Sequence, residues 1–131
     1  MLTGSCLCGA VAYQADAEIT RIVHCHCQTC RKTHGTAFSS VGAVPRTSFR
    51  FTRGAEQLGG IESSPGKFRR FCSRCGSHLM AERGAQPVVL LRLGCLDADI
   101  KGVPQVHIWR SDAASWYDPK ETSPELPAGL S

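Results

Sequence analysis

The residues able to do chemistry in this chain are its cysteines. Eight stand in 131 residues, and seven fall into three close-set groups: Cys6 and Cys8, then Cys25, Cys27 and Cys30, then Cys72 and Cys75. Cys95 stands alone. Cysteines one or two residues apart bridge each other poorly, because so short a loop strains the disulfide, yet they converge readily on one metal ion. The opening residues Met1 to Cys6 lack the charged start and apolar run of a secretory leader. The chain is also long enough to bury a core without covalent staples. The spacing therefore predicts zinc, two ions per chain, in a reducing cytoplasm, rather than a disulfide framework.

Four of the seven thiols suffice for a closed site. Cys72-x-x-Cys75-Gly76 places two sulfurs where both reach one ion at about 2.3 Å, with a glycine to permit the tight turn. Cys6-x-Cys8-Gly9 repeats the cysteine–glycine ending and is the expected partner pair. Four thiolates fill a tetrahedron and leave no room for substrate, so this site is expected to be structural. Closing so long a loop through metal is a folding device.

Cys25-x-Cys27-x-x-Cys30 is one ligand short. Two arrangements fit it: a nearby histidine (His24, His26 or His34) closes the tetrahedron, or the fourth position is left to water or substrate. Charge selects the chemistry of an open site. Three thiolates around zinc leave a net charge of about −1, a poor setting for generating hydroxide. Such a site is better suited to holding a substrate thiol as its thiolate and keeping it nucleophilic. Sulfur attacking a small electrophilic carbon is the reaction that fits.

Other residues carry weaker signals. Arg31, Lys32, Arg69 and Arg70 flank the cysteine groups where they can meet a carboxylate, and Arg31, directly after Cys30, is the foremost of them. Glu62 and the serines after it are candidates to approach the second site. Cys95, beside an apolar run, reads as a packed thiol. His78, three residues after Cys75, reads as a donor to a sulfur or a packing residue, His107 as structural or edge-exposed, and Trp109, Trp116 and Tyr117 as a cover for a core or a cleft. Ser39 and Ser40 have no Asp–His pattern nearby that marks a nucleophile.

The elements that must position these groups read mainly as strands. Glycine and proline recur at short intervals, and no segment keeps a helical period for long. Strands are expected over 9–14, at Ile22 and Val23, and over 37–44, 48–52, 67–71, 78–82, 87–93 and 106–109. The run 87–93 is the most apolar and is expected at the centre. A helical turn is expected over 29–34. The chain reads as a single domain over 1–122 with a loose tail over 123–131.

Composition narrows the partners. The formal charge is +4, but seven thiolates and two zinc ions bring it to about +1. The basic residues are scattered rather than gathered into a run, so nucleic acid is not an expected partner. No apolar stretch has the length to span a bilayer.

Three motifs together are recognisable: Gly4-Ser5-Cys6-x-Cys8-Gly9-Ala10-Val11, Cys25-His26-Cys27-x-x-Cys30-Arg31, and Phe71-Cys72-x-x-Cys75-Gly76-Ser77. With the stretch from His107-Ile108-Trp109 to Ala114-Ser115-Trp116-Tyr117-Asp118, the chain resembles the glutathione-dependent formaldehyde-activating enzyme family, a group that also includes centromere protein V. The resemblance implies a mainly β fold of small coiled sheets organised around zinc sites. It implies a structural zinc at Cys6, Cys8, Cys72 and Cys75 and a second zinc at Cys25, Cys27 and Cys30. The implied reaction is that of a carbon–sulfur lyase, joining glutathione and formaldehyde as S-(hydroxymethyl)glutathione. The partners would then be a small thiol and a small aldehyde. The alternative is a non-catalytic, zinc-stabilised protein-binding module.

Overall fold

The computed structural model describes residues 1–118, 120 and 123–129. Among these the chain forms ten strands, one α-helix and four short 3-10 turns. In order they are β1 (Leu2–Ser5), β2 (Ala12–Ala15), β3 (Ile22–Cys25), α1 (Gln28–His34), β4 (Ser39–Pro45), β5 (Phe49–Arg53), β6 (Leu58–Ser64), β7 (Lys67–Cys72), β8 (His78–Arg83), β9 (Val88–Arg92) and β10 (Gln105–Ile108).

The strands make two sheets. One is three-stranded, in the order β1-β2-β5, and the other seven-stranded, in the order β10-β3-β4-β9-β8-β7-β6. Every pairing is antiparallel except that of β10 with β3. The apolar run expected at the centre is β9, fourth of the seven. Its Val89 and Leu91 join Val44, Leu79, Met80 and Cys72 in a core that also takes Val11, Tyr13 and Ala15 from around the small sheet. Alternation then dictates what the other face of the large sheet carries, because successive side chains on a strand point to opposite sides. Opposite the core, the register lines up Cys25 with Ser39, Val41 with Arg92, Leu90 with Ala81, Ala81 with Arg69, and Lys67 with Arg83.

Two strands, β1 and β6, have no counterpart in the sequence reading. β6 contains Gly59 and Gly60, residues disfavoured in strands. Packing explains Gly59: a Cβ there would lie 2.5 Å from the Phe71 ring, so the strand can pair with β7 only if that position is bare. The expected strand over 9–14 begins later, at Ala12, because residues 6–11 are committed to a turn. Residues 123–129 are exposed and belong to no helix or strand. Positions 119, 121 and 122 at the end of the expected domain, and 130–131 of the expected tail, lie outside the described residues.

Candidate metal centres

Cys6 and Cys8 follow β1, Cys72 ends β7, and Cys75 sits in the turn leading to β8. Their four Sγ atoms lie within 4.8 Å of one another. The Sγ atoms of Cys6 and Cys8 are 3.7 Å apart, and those of Cys8 and Cys72 3.8 Å. Four sulfurs about 2.3 Å from a central ion stand about 3.8 Å apart, so the set fits tetrahedral zinc. Each half is a closed turn. The Gly9 amide donates to the Cys6 carbonyl at 3.1 Å, and the Gly76 amide to the Cys72 carbonyl at 2.8 Å. Both glycines have positive φ, 78° and 81°, which a side chain would resist. The turns also aim polar hydrogens at sulfur: the Val11 amide lies 3.3 Å from Cys6 Sγ and the Ser77 hydroxyl 3.3 Å from Cys75 Sγ. The Ser77 hydroxyl, with the amides of Cys8 and Ser77, draws the Cys75 thiol down to about 5, favouring the ligating thiolate.

The second group is built where β3 runs into α1. Cys25 ends β3, and Cys27 is the N-cap residue of α1, its Sγ accepting the Cys30 amide at 3.3 Å. Cys30 lies buried within the helix. The three Sγ atoms lie within 4.8 Å of one another, and among the described residues no histidine or carboxylate joins them. The candidate histidines are engaged elsewhere. His24 bonds Ser40 Oγ at 2.8 Å and Gln105 Oε1 at 2.7 Å. His26 Nε2 shares a hydrogen bond with His107 Nδ1 at 2.7 Å, and His34 meets His78 edge to face. Three sulfurs and no fourth protein ligand fit a zinc site of the open kind.

The open side faces a cavity of about 570 Å³. All three cysteines line it, along with Lys67, Arg69, Arg83 and Arg92 from the sheet face opposite the core, and one acid, Asp112. Arg69 is 2% exposed; its Nε donates to Ser63 Oγ at 2.8 Å and its Nη2 reaches Cys30 Sγ at 3.6 Å. Arg92 is 6% exposed, and its Nε and Nη2 have no partner. The ion pairs found among the described residues, Arg46–Glu82 and Arg70–Glu82, lie elsewhere. Cations buried without a carboxylate raise the local potential. Burial, Arg69 and Arg92 push Lys67 below its ordinary value. Burial and Arg69 bring Arg92 to about 10, although Cys30 and Cys25 pull the other way. Burial raises the Cys30 thiol, but the Ser39 hydroxyl, the Arg69 guanidinium and the two sister thiols outweigh it and bring it to about 7.

The structure sorts the other candidates by place. Arg31 and Lys32 ride on α1 and do not line the cavity, and Arg70 turns to Glu82. Ser63 and Ser64 line the cavity, whereas Glu62 is exposed and does not. Ser39 lines it too, and Ser40 is taken by His24. Trp109 stands at the cavity, 60% exposed and with a positive φ of 58°. Trp116 is exposed, and Tyr117 packs near Phe38 and His26. Cys95 donates to the His78 carbonyl at 3.2 Å and belongs to neither sulfur group. Sequence reasoning overlooked Lys67, Arg83 and Arg92. A signal for Arg92 was present: it is the single charge inside the run Val88-Val89-Leu90-Leu91-Arg92-Leu93.

Known proteins resemble this chain in sequence and in shape. The family described as Glutathione-dependent formaldehyde-activating enzyme matches residues 1–112. A Colletotrichum graminicola protein, provisionally named for that activity, is 32% identical over 96 residues, which is 73% of this chain and 44% of that protein. A similarly named Halomonas elongata protein is 29% identical over 128 residues, 90% of this chain and 80% of its own length. The chain spans about half the length of the fungal relatives it matches. A crystal structure of a Rhodobacter sphaeroides protein has the same fold, with a TM-score of 0.64 at 23% identity, covering 79% of this chain and 99% of that one.

Proposed function

The chain belongs to the glutathione-dependent formaldehyde-activating enzyme family, and from that premise we propose that it joins a carboxylate-bearing thiol, glutathione or one of its class, to formaldehyde or a similar small aldehyde. The observation that carries this reading is the set of three cysteines opening onto a cavity walled by Lys67, Arg69, Arg83 and Arg92. Zinc, when held by Cys25, Cys27 and Cys30, supplies a fourth position that keeps a substrate sulfur as its thiolate. Cys6, Cys8, Cys72 and Cys75 would hold the structural zinc, which serves the fold.

The chain's own residues do the rest. Lys67, Arg83 and Arg92 draw in the carboxylates of the thiol and set its sulfur toward the cysteines. Arg69, fixed by Ser63, holds Cys30 in place and offsets the negative charge of the sulfurs. In the reaction a carbon–sulfur bond forms, the carbonyl π bond breaks, and the proton that leaves the thiol ends on the new hydroxyl, with no oxidation or reduction. Lys67 is the cavity group suited to carrying that proton, because burial, Arg69 and Arg92 ease its deprotonation.

The test is exchange spectroscopy of ¹³C-formaldehyde with glutathione, which also combine unaided, in the presence of catalytic amounts of zinc-loaded protein. Exchange between free aldehyde and S-hydroxymethyl adduct is expected to speed up with the wild type and to return to the unaided rate with Cys27→Ser. A wild-type rate equal to the unaided one sinks the reading and favours a zinc-stabilised binding module.

A further inference from the structure

A second chamber, of about 350 Å³, lies between the end of α1 and the ends of β8 and β9. It shares Arg92 and Ser39 with the cysteine cavity but holds none of the three cysteines. Among the described residues, nine buried side-chain nitrogen and oxygen atoms lack a hydrogen-bond partner, and five belong to residues on this chamber's walls: His34 Nε2, Ser39 Oγ, His78 Nδ1, and Nε and Nη2 of Arg92. Most of its remaining polar groups are already satisfied. Thr36 donates to the Phe38 carbonyl, Ser40 bonds His24, and Cys95 donates to the His78 carbonyl.

Buried polar atoms are rarely left alone, so so dense a group of orphans implies an occupant. The donor inventory says what kind. Two of the five atoms are obligatory donors on a fixed cation, the Ser39 hydroxyl can donate, and each histidine donates from the free nitrogen in one tautomer. No carboxylate lines the chamber, and Arg92 is 6% exposed. A metal cation is repelled by Arg92 and by the neighbouring Arg69. Water answers the hydrogen bonds but leaves the charge unbalanced.

We propose that this chamber binds a small oxyanion, a carboxylate or an inorganic oxyanion, through the Arg92 guanidinium and the free ring nitrogens of His34 and His78. Both rings stay neutral in their surroundings, since burial and the nearby guanidinium of Arg92 depress them, and so both act as tautomeric donors rather than as counter-charges. The site adjoins the cysteine cavity and shares Arg92 and Ser39 with it, whereas His34 and His78 touch the chamber and not the cavity.

The experiment is titration of the zinc-loaded full chain with ¹³C-formate and, separately, inorganic phosphate, followed by NMR and calorimetry. Saturable binding of one anion per chain is expected. It should weaken roughly tenfold or more in the double variant His34→Leu, His78→Leu, which removes two donors to a charged ligand. It should survive within a few-fold in His34→Gln, His78→Asn, whose amides replace Nε2 and Nδ1. Zinc content reports folding, and if the double leucine variant loses metal, His34→Leu alone is read in the same way. Formate binding without phosphate assigns a carboxylate ligand, and phosphate displacing formate assigns an inorganic oxyanion. Absence of saturable binding for both anions, or undiminished binding after the leucine substitutions, overturns the proposal.

Discussion

At the scale of single residues, the two sulfur groups differ in what a lost ligand does. Cys27 is only partly buried and caps a seven-residue helix, while Cys72 is fully buried in the core. Cys27→Ser keeps an N-cap oxygen, so the fold is expected to persist while one of the two metal sites empties; zinc analysis alongside circular dichroism checks both. Cys72→Ser should unfold the chain. Arg92 gives a sharper discrimination. A buried cation without a carboxylate is costly, and its replacement by an apolar chain of similar volume is often neutral or stabilising. Arg92→Met is therefore expected to leave the urea midpoint unchanged or raised while KM for glutathione increases roughly tenfold. A fallen midpoint with unchanged KM would make Arg92 a structural residue.

At the scale of elements, the cavity exists because β7, β8 and β9 alternate. The same strands that bury Met80, Val89 and Leu91 on one side must present Lys67, Arg69, Arg83 and Arg92 on the other. The turn after β10 carries Trp109 in the left-handed region at φ 58°, where a side chain costs about 1–2 kcal/mol. Trp109→Gly should consequently be more stable than Trp109→Ala by about 1 kcal/mol in chemical denaturation, since only glycine relieves that strain. Equal stabilities would mean that the turn relaxes freely. Most of these elements were legible beforehand, because β3, β4, β5, β7, β8 and β9 announce themselves by alternation or apolar runs. β6 was not, because its glycines look like a loop until Phe71 is known to lie against Gly59.

For the whole molecule, metal at the four-cysteine group and protonation are expected to set the limits of stability. The four-cysteine group ties the turn after β1 to the turn before β8, so a chelator strong enough to strip it should abolish cooperative unfolding rather than only lower the midpoint. Acid acts through a second route. Burial and the cations Arg92, Arg69 and Lys67, with His78, hold His34 at about 3 against an ordinary value of 6.5. Its folded value lies below its unfolded one, so the folded state is favoured fully above about pH 6.5 and loses that advantage as pH falls toward 3. Urea midpoints should decline from pH 7 to pH 5, and the decline should be shallower in His34→Gln. Identical slopes would place the acid sensitivity at the metal sites alone.

The cysteine spacing by itself marked out the thiols suited to hold metal and the three-sulfur group at Cys25, Cys27 and Cys30, because sulfur reach over one or two intervening residues is a local property, whereas the meeting of Cys6 and Cys8 with Cys72 and Cys75 was made by the fold. Residue type along the strands likewise determined a mainly β chain with β9 at its centre. Which cations face the incomplete group was a tertiary matter. Arg31 is adjacent to Cys30 in sequence yet sits on the helix outside the cavity, while Arg69 and Arg92, 39 and 62 positions from Cys30, are delivered there by strand pairing. Sheet register, set by burial on the opposite face, decided that arrangement, and no local pattern carries that information.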